Sequence, residues 1–499
     1  MATDDFFRAR LDQMIDLRHP LAVLAGRIPW AALESSLAPS LAHRDRKGRV
    51  IEGQGLFGPT LELAGAGVSA AGRPRLPIRL MASLLYLKHA FNLSDEAVVE
   101  RWSENVVWQF FSGREYYEPK APCDATQIGR FRTAIGEAGV EEILKATIDT
   151  AVKTGAVPPE DFQRVIVDST VQEKAIAFPT ESRLLEIARH KVVGVARAAG
   201  VALKQTFANE GKQLRRRAGG YAHAKQYRRL KRILRRQRTI LGRLIREVRR
   251  KWQPQALAPE TAARLTSLLT RCEQLRTQSR RGKDKVYAIH APEVECISKG
   301  KARQRYEFGV KASLAVTHRS GLIVGARTFP GNPYDGHVLG QQLEQTTILL
   351  EDVGVVPNEV FVDLGYRGVD ADNPGVRIVH RGRMKTLDDE DRQRLKRRQA
   401  IEPVIGHLKA DHRMARSWLK GATGDALNAV LAAAGFNLRW LMRAVLAGRI
   451  SVFLRALRLS TANEICTAAA FITRILALTA LATVSSPRHA GADTALTVV

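Results

Sequence analysis

The chain has 499 residues, 45% hydrophobic and 26% charged, a composition typical of globular proteins and a length sufficient for two or three domains. Its formal net charge of +28 indicates a polyanionic partner, because so much positive charge repels itself unless phosphates screen it. The alternative is a basic protein that uses its charge for solubility.

The sequence offers little sign of export, membrane insertion or zinc binding. The N-terminus lacks the basic start and apolar run of a secretory signal. Only Cys466–Val484 approaches the length of a membrane span, and Arg474 sits near its middle, so we expect no membrane association. We expect a reducing cytoplasm, because the cysteines lie far apart without a CxxC pair, at Cys123, Cys272, Cys296 and Cys466.

Residues 1–155 are predicted to form an N-terminal helical domain. Ser94 is a candidate helix cap, and Asp124 with Gln127 gives a start resembling a capping box. The predicted helices cover Ile78–Asn92, Leu93–Trp102 and Asp124–Gly136.

Short helices of this kind are compatible with a helix-turn-helix DNA reader. Arg130 and Arg132 are then the candidate DNA contacts, because they lie on the third predicted helix. A helical packing or dimerisation domain fits the same pattern equally well.

The first convincing strand is Arg164–Thr170, a run of β-branched residues that contains Asp168 near its end. An aspartate at the mouth of a buried strand suggests a ligand. A helical insertion follows, over about residues 171–300.

The insertion is strongly basic. Its segment Lys212–Lys251 contains 17 Lys and Arg against a single acid, Glu247. A charged helix face in solvent is the usual explanation of a basic run. The density of one sign and the accompanying apolar stripe favour a helical arm laid along DNA. The candidate phosphate contacts are Arg228, Arg229, Arg232, Arg235 and Arg236.

Strands resume after the insertion. A hairpin is predicted from Tyr306–His318 and Leu322–Gly331. A turn and an amphipathic helix follow, where Asn332 and Asp335 are interpreted as turn-forming and capping residues. Another buried strand, within Val360–Gly368, leads to Asp363 and a glycine-rich turn, and Val376–Gly382 contains a short strand.

The segment RQAIEPVIGHLK, Arg398–Lys409, is predicted to be a short helix. At about 100° per residue, Arg398, Glu402 and Lys409 fall on nearly the same face. A carboxylate between two cations is suited to holding a metal ion beside a phosphate.

The order of these elements predicts an α/β fold with a ribonuclease-H-like mixed sheet over residues 160–446, in which acids meet at one end of the strands. Asp425–Leu446 is predicted to be a core helix, and residues 447–499 a C-terminal helix and frayed tail. Three converging carboxylates in a basic protein suggest two-metal phosphoryl transfer with two Mg²⁺ ions, with Mn²⁺ as an alternative.

Several ordered motifs resemble the DDE transposases of bacterial insertion sequences, in the insertion sequence 5 family. The motifs are VIVDST, NPYDGH, VDLGYRG, RQAIEPVIGHLKADHRM and LMASLLYLKHAFNLSDEAVVERW, and the resemblance covers about residues 6–446. It implies that Asp168, Asp363 and Glu402 form a DDE triad that binds the catalytic metals.

The related insertion sequence 4 group carries a Tyr-Arg-Glu-Lys signature, to which Arg398, Glu402 and Lys409 correspond. Leu395 stands at the tyrosine position, and Leu364 stands where many relatives have a basic residue. These departures question a tyrosine contact to the terminal phosphate but leave the expected metal ligands unchanged.

The resemblance implies a transposase that binds the terminal inverted repeats of its element and catalyses Mg²⁺-dependent strand cleavage and strand transfer. Its partners would be double-stranded DNA, as transposon ends and as target, and a second copy in at least a homodimer. It would act in the bacterial cytoplasm, at the nucleoid. An inactive or domesticated DNA-binding protein and a nuclease on the same fold are the alternatives.

Overall fold

The computed structural model describes residues 9–42, 53–55, 58–60, 76–252, 259–279, 282, 284–298, 305–384 and 387–450. The chain divides into two compact units, residues 1–443 and 444–499, and the second is described only to residue 450. Residues 444–450 finish a helix and form the turn after it. The tail beyond them and the apolar segment Cys466–Val484 lie outside the described residues.

The N-terminal part of the chain is helical, as predicted, and includes a small antiparallel sheet. Ser94 accepts a hydrogen bond from the Ala97 amide over 3.1 Å, and Asp124 with Gln127 forms a capping box, so both predicted caps are confirmed. The elements are α1 (Leu11–Met14), α2 (Pro20–Ala25), α3 (Trp30–Leu37), β1 (Gly53–Gly55), β2 (Gly58–Thr60), α4 (Ile78–Ala90), α5 (Asp95–Glu104), α6 (Val106–Phe111) and α7 (Ala125–Lys153).

Helix α7 is longer than the predicted helix because Gly136 kinks it without ending it. Gly136 has φ 63° and ψ −161°, a conformation that residues with a side chain rarely adopt. Beyond the kink the helix continues to Lys153 and buries Ile143, Leu144 and Ile148 completely.

A seven-stranded mixed sheet follows the N-terminal helices. Strand β3 is antiparallel to β5 on one side and parallel to β7 on the other, and β8 is parallel to β7. Strands β4 and β6 pair with the far edge of β5, and β9 pairs with the end of β3. The strands are β3 (Arg164–Lys174), β4 (Glu295–Ser298), β5 (Tyr306–Thr317), β6 (Ile323–Phe329), β7 (Glu359–Phe361), β8 (Arg377–Val379) and β9 (Arg416–Ser417).

This mixed sheet is consistent with the predicted ribonuclease-H-like fold, but the boundaries of the insertion need correction. Strand β3 does not end at Thr170: it continues to Lys174, where it pairs with β9. Lys174 is buried and forms ion pairs of 2.9 Å with Glu293 and Asp425, which fix this end of the strand. Residues 171–174 and strand β4 therefore belong to the sheet.

The described part of the insertion is a packed helical bundle. Its four helices are α8 (Glu181–Ala198), α9 (Ala208–His223), α10 (Tyr227–Lys251) and α11 (Pro259–Thr277). They bury a hydrophobic core of their own, to which α10 contributes Ile240, Leu241 and Leu244. The apolar stripe of the basic segment therefore packs against neighbouring helices, leaving its arginines outside.

Four further helices flank the sheet or cover it. They are α12 (Asp335–Leu349), α13 (Asp389–Arg397), α14 (Ile401–Asp411) and α15 (Gly421–Leu446). Helix α12 packs on β6, where the Gln345 side chain accepts a hydrogen bond from the Ala326 amide over 2.9 Å. The predicted hairpin of β5 and β6 is present, and Asp161 accepts hydrogen bonds from the turn amides of Arg319 and Ser320.

Helix α15 joins the N-terminal helices to the sheet. Asn437 is fully buried and donates to Thr147 Oγ1 on α7 and to the Ile323 carbonyl on β6, over 3.0 and 2.8 Å. Among the described helices, α15 alone is long and apolar enough to cross a membrane, and 78% of its most apolar window is buried within the protein. Residues 1–443, which include the predicted boundary at residue 155, lie within one compact unit.

Candidate active site

Asp168 lies within the central strand β3, after the fully buried run Val165–Val167. Its side chain is 18% exposed, and one oxygen accepts a hydrogen bond from the Ser169 amide over 2.8 Å. The other oxygen accepts a hydrogen bond of 3.4 Å from Arg398. These two hydrogen bonds give the Asp168 carboxylate a defined orientation, and its partial exposure gives it some access to solvent.

Asp363 lies beside Asp168 because of the register of the parallel strands β3 and β7. Ile166 pairs with Phe361, and each aspartate follows its paired residue by two positions. Residues two apart along a strand share a face, and neighbouring strands lie about 4.8 Å apart. The register therefore brings the two residues to the same level along their strands. Asp363 also accepts a hydrogen bond from the Gly365 amide over 2.7 Å, which caps the turn that follows.

The phenol of Tyr366 lies near the carboxylates of Asp168, Asp363 and Asp335, a group called the acidic edge below. Tyr366 is 1% exposed, and burial raises the pKa of its phenol well above the ordinary value. The carboxylates of Asp335, Asp168 and Asp363 raise that pKa further, so all three negative charges lie close to one hydroxyl. Tyr366 is thus a packed residue beside these carboxylates.

Glu402 lies in the first turn of α14, and its side chain is exposed. Arg398 precedes it in a short 3₁₀ turn and contacts Asp168, so the start of α14 is held near β3. Lys409 lies near the other end of the helix, 3.9 Å from Glu307 on β5. The predicted helix is therefore present as a 3₁₀ turn followed by α14. Leu395, at the tyrosine position of the related group, is buried in α13.

The carboxylate oxygens of Asp168, Asp363 and Glu402 belong to the donor class that Mg²⁺ prefers. The register of β3 and β7 brings two of the three residues to the same level, and the chemistry of their oxygens fits a divalent metal. Within the described residues, no three His, Cys, Asp or Glu side chains converge closely enough to hold a metal ion. The assignment of this triad as a metal site therefore remains a prediction.

Sequence reasoning missed a third aspartate at this edge. Asp335 was predicted to cap a helix, but it is the first residue of α12 and no side-chain cap is present there. Its Oδ1 instead accepts hydrogen bonds of 2.8 Å from Ser169 Oγ and from Lys311 Nζ. The available signal was Lys311, a lysine inside a mostly buried strand.

Comparison with known proteins identifies the family. Residues 56–134 match the family described as Transposase domain (DUF772), and residues 276–434 match the Transposase DDE domain. A relative from Rhizobium meliloti, "Uncharacterized protein ORF8 in nfe locus", is 42% identical over 224 residues, which is 45% of this chain and 95% of the relative. The chain belongs to the DDE transposases of insertion sequences. No solved structure matches this transposase.

The match to the DDE domain contains Asp363 and Glu402. Asp168 precedes the matched residues in the sequence, because the helices of the bundle, α8 to α11, follow β3. The prediction that Asp168 belongs to the triad is therefore supported by the register of β3 and β7 and not by the family match. The N-terminal match covers α4 to α6 and the start of α7, where the candidate DNA-contacting arginines lie.

Of those two arginines, Arg130 is exposed and Arg132 is not. Arg132 is 6% exposed and donates two hydrogen bonds, of 3.3 and 3.2 Å, to the carboxylate of Asp95. Lys88 shares that carboxylate at 2.6 Å. The prediction of a DNA contact by Arg132 is corrected accordingly, because its guanidinium is committed to an internal ion-pair network of the transposase.

The arginines predicted on the basic segment lie in the first half of α10. Arg228, Arg229, Arg232 and Arg235 are exposed. Arg229 also lies 5.8 Å from the ring centroid of Tyr221. Arg236 is partly committed, since it forms an ion pair of 2.7 Å with Glu210.

A second basic surface lies between α8 and α9 of the transposase. A cleft of about 910 Å³ separates these helices, and Ile187 and Val195 contribute apolar atoms to its lining. Its cationic lining residues are Arg189, Lys191, Lys212, Arg215 and Arg216. Arg189 is buried and paired with Glu186, so the other four carry the uncompensated charge of the lining.

Proposed function

We propose that the chain binds the terminal inverted repeats of its insertion sequence and catalyses Mg²⁺-dependent strand cleavage and strand transfer. The observation that supports this proposal is the parallel register of β3 and β7, which pairs Ile166 with Phe361, two residues before Asp168 and Asp363. Arg398 supports it, because this residue holds the start of the Glu402 helix against Asp168.

Asp168, Asp363 and Glu402 would hold two divalent ions. When bound, such ions activate the attacking hydroxyl and stabilise the leaving 3′-oxygen of an in-line displacement. Arg398 would fix the orientation of Asp168 and contribute positive charge beside the scissile phosphate. Lys409, on the same helix as Glu402, would contact a neighbouring phosphate. The buried side chain of Tyr366 would exclude water from one side of the aspartates and support them by packing.

The helical bundle would supply affinity for the DNA backbone. The exposed arginines of α10 and the basic cleft between α8 and α9 are two cationic groups on one packed bundle. Charges of this kind bind phosphates without reading sequence, so recognition of the inverted repeats would come from another region. The exposed Arg130 on α7 is a candidate for that region.

Transposition joins two ends of one element to a target, so we propose that at least a homodimer assembles on double-stranded DNA. The reaction would take place at the nucleoid in the bacterial cytoplasm, where both the element and its target are found.

The deciding experiment incubates purified protein with labelled DNA carrying the ends of the element, in Mg²⁺ or in Ca²⁺. Wild-type protein should cut and join the ends in Mg²⁺. Asp168→Ala and Glu402→Gln should bind the same DNA and neither cut nor join it. Glu390→Gln is the matched control for Glu402→Gln, because Glu390 is 70% exposed on the preceding helix, and it should retain activity.

Two other results would replace the proposal. Binding without cutting by wild-type protein would support an inactive DNA-binding protein. Cutting without joining would support a nuclease, and retention of cleavage by Glu402→Gln would place the active site elsewhere.

A further inference from the structure

The NPYDGH motif carries part of the family resemblance, and the structure shows that it fastens the start of α12 to the acidic edge. Asp335 is the central residue of this attachment. Its Oδ1 accepts one hydrogen bond from Ser169 Oγ, directly after Asp168 on β3, and another from Lys311 Nζ on β5. One carboxylate oxygen thus joins two neighbouring strands of the sheet.

Lys311 strengthens this attachment. It is 8% exposed, and its ammonium group also donates a hydrogen bond to the carbonyl of Pro333, two residues before Asp335. A buried ammonium group needs compensating partners, and the motif provides both a carboxylate and a carbonyl. The segment Asn332–Asp335 is therefore tied to β5 at two points.

The other side of the motif contacts the turn that follows Asp363. A Cβ atom at Gly365 would lie 2.9 Å from Asp363 Oδ1 and 3.1 Å from Asp335 Oδ2, so both carboxylates border this position. At Gly336, a Cβ atom would lie 2.6 Å from the Val369 side chain. Glycine at position 336 thus lets α12 approach the turn more closely than a residue with a side chain could.

We propose that Asp335 is a positioning residue that fixes the spacing between Asp168 and Asp363. It contacts the residue after Asp168 on one strand and borders the turn of Asp363 on the other, while Lys311 balances its charge. This inference rests on the proposed function, because the spacing matters only if the two aspartates hold divalent ions together.

The contacts favour positioning over direct metal binding or helix capping. Two donors already occupy Oδ1, and Oδ2 faces the Gly365 turn. Helix α12 has no side-chain cap at its start, so a capping role is absent. Groups that orient metal ligands in this way typically affect metal affinity or activity about 10- to 100-fold when they are lost.

The test compares wild type with Asp335→Asn, which keeps the shape of the side chain and removes its charge. Because this change leaves Lys311 beside a neutral partner, the double variant Asp335→Asn/Lys311→Met removes both charges and guards against loss of folding. Asp352→Asn is the matched control, since Asp352 forms a 3.1 Å ion pair with Lys145 and is 58% exposed.

Two quantities are measured on the full chain without DNA: hydrogen exchange of residues 363–369, without added metal, and Mn²⁺ affinity by calorimetry. Both Asp335 variants should exchange this segment about 10- to 100-fold faster. Both should bind Mn²⁺ about 10- to 100-fold more weakly. Asp352→Asn should match wild type in both measurements.

Exchange within twofold of wild type in both Asp335 variants would overturn the positioning role. So would a loss of Mn²⁺ binding as complete as that of Asp168→Ala, which would make Asp335 a direct ligand. Wild-type protein that binds no Mn²⁺ would overturn the proposed function, and faster exchange in the variants would then still support the attachment of the Asp363 turn by Asp335.

Discussion

Arg398 donates a hydrogen bond of 3.4 Å to Asp168, and this contact joins residues that lie 230 positions apart in the chain. Both side chains are largely buried, with 12% and 18% exposure. The contact holds the first acid of the predicted triad to the turn that precedes the third, Glu402. It therefore connects the central strand with the helix that carries Glu402, the third residue of the predicted triad.

Removal of this contact should slow catalysis more than it weakens DNA binding. We expect Arg398→Ala to reduce the rate of end cleavage about 10- to 100-fold, because Asp168 loses the partner that orients it. Arg398→Lys should recover part of the rate, since lysine restores the charge without the planar guanidinium. Single-turnover cleavage and a gel-shift assay measure the two effects separately.

Arg392→Ala is the control for these variants, because Arg392 lies on the neighbouring helix and is 42% exposed. It should cleave at the wild-type rate. Wild-type cleavage by Arg398→Ala would show that Asp168 needs no such orientation.

The exposed arginines of α10 should determine the salt dependence of DNA binding. We expect Arg228→Gln/Arg232→Gln to weaken binding to all sequences alike and to reduce the slope of log affinity against log salt by about 1.8, or about 0.9 for each lost phosphate contact. Fluorescence anisotropy with specific and unrelated duplexes over a range of salt concentrations measures this slope.

A matched pair of arginines lies in the same bundle. Arg238 and Arg276 form ion pairs of 2.6 and 2.5 Å with Glu181 and Glu273, so their charge is already compensated. Arg238→Gln/Arg276→Gln should change the slope little. Equal slopes for both double variants would remove α10 from the DNA-binding surface.

The paired aspartates could be predicted from sequence because each follows a short run of buried, mostly β-branched residues. Asp168 follows Val165–Val167 and Asp363 follows Val360–Val362, and such runs form strands in the interior of a sheet. The predicted caps at Ser94 and Asp124 are also local features. Patterns of this kind involve residues that are close together in the sequence, so they can be recognised from a single sequence.

The errors concern contacts between distant residues. Arg132 has the pattern of a surface arginine on a helix, but its partner Asp95 lies 37 positions earlier. Asp335 has the local pattern of a helix start, whereas its partners are Ser169 and Lys311 on two strands. The apolar stripe of the basic segment is visible in the sequence, but its packing partners α8, α9 and α11 depend on tertiary structure.

The internal network around Asp95 gives a prediction about stability. Asp95 neutralises both Lys88 and Arg132, whose side chains are each 7% exposed. Burial raises the pKa of Asp95, but the two cations outweigh this effect and keep the pKa below its usual value. Asp95→Ala should lower the free energy of unfolding by about 3–5 kcal/mol, because it leaves two buried cations facing each other.

Urea unfolding followed by circular dichroism measures this loss. Glu100→Ala, at an exposed position of the same helix, should remain within about 0.5 kcal/mol of wild type. A comparably small effect of Asp95→Ala would mean that Arg132 is free to move, and its role as a DNA contact would then need to be reconsidered.

Stability should also fall with acidification because of His412. Burial lowers the pKa of His412 to about 4, although its Nδ1 lies 3.0 Å from the carbonyl of His89. The unfolded chain takes up a proton near pH 6.5, whereas the folded chain resists it until about pH 4. The stability contribution of neutral His412 is therefore fully present above pH 6.5 and is lost as the pH falls toward 4, by about 3 kcal/mol. His89, fully buried beside it, has a pKa lowered well below its usual value, so it contributes in the same direction.

Urea unfolding at pH 7.5, 6.0 and 5.0 tests this sign. His412→Gln cannot take up the proton, so its stability should decline less than that of wild type over this interval, even though the substitution costs some packing at pH 7.5. Other titrating groups act equally in both proteins, and the difference between the two pH profiles isolates His412.

His223→Gln, at an exposed position at the end of α9, serves as the control and should follow the wild-type profile. Parallel profiles for wild type and His412→Gln would show that His412 is already protonated in the folded protein or that its site opens before the rest of the chain unfolds.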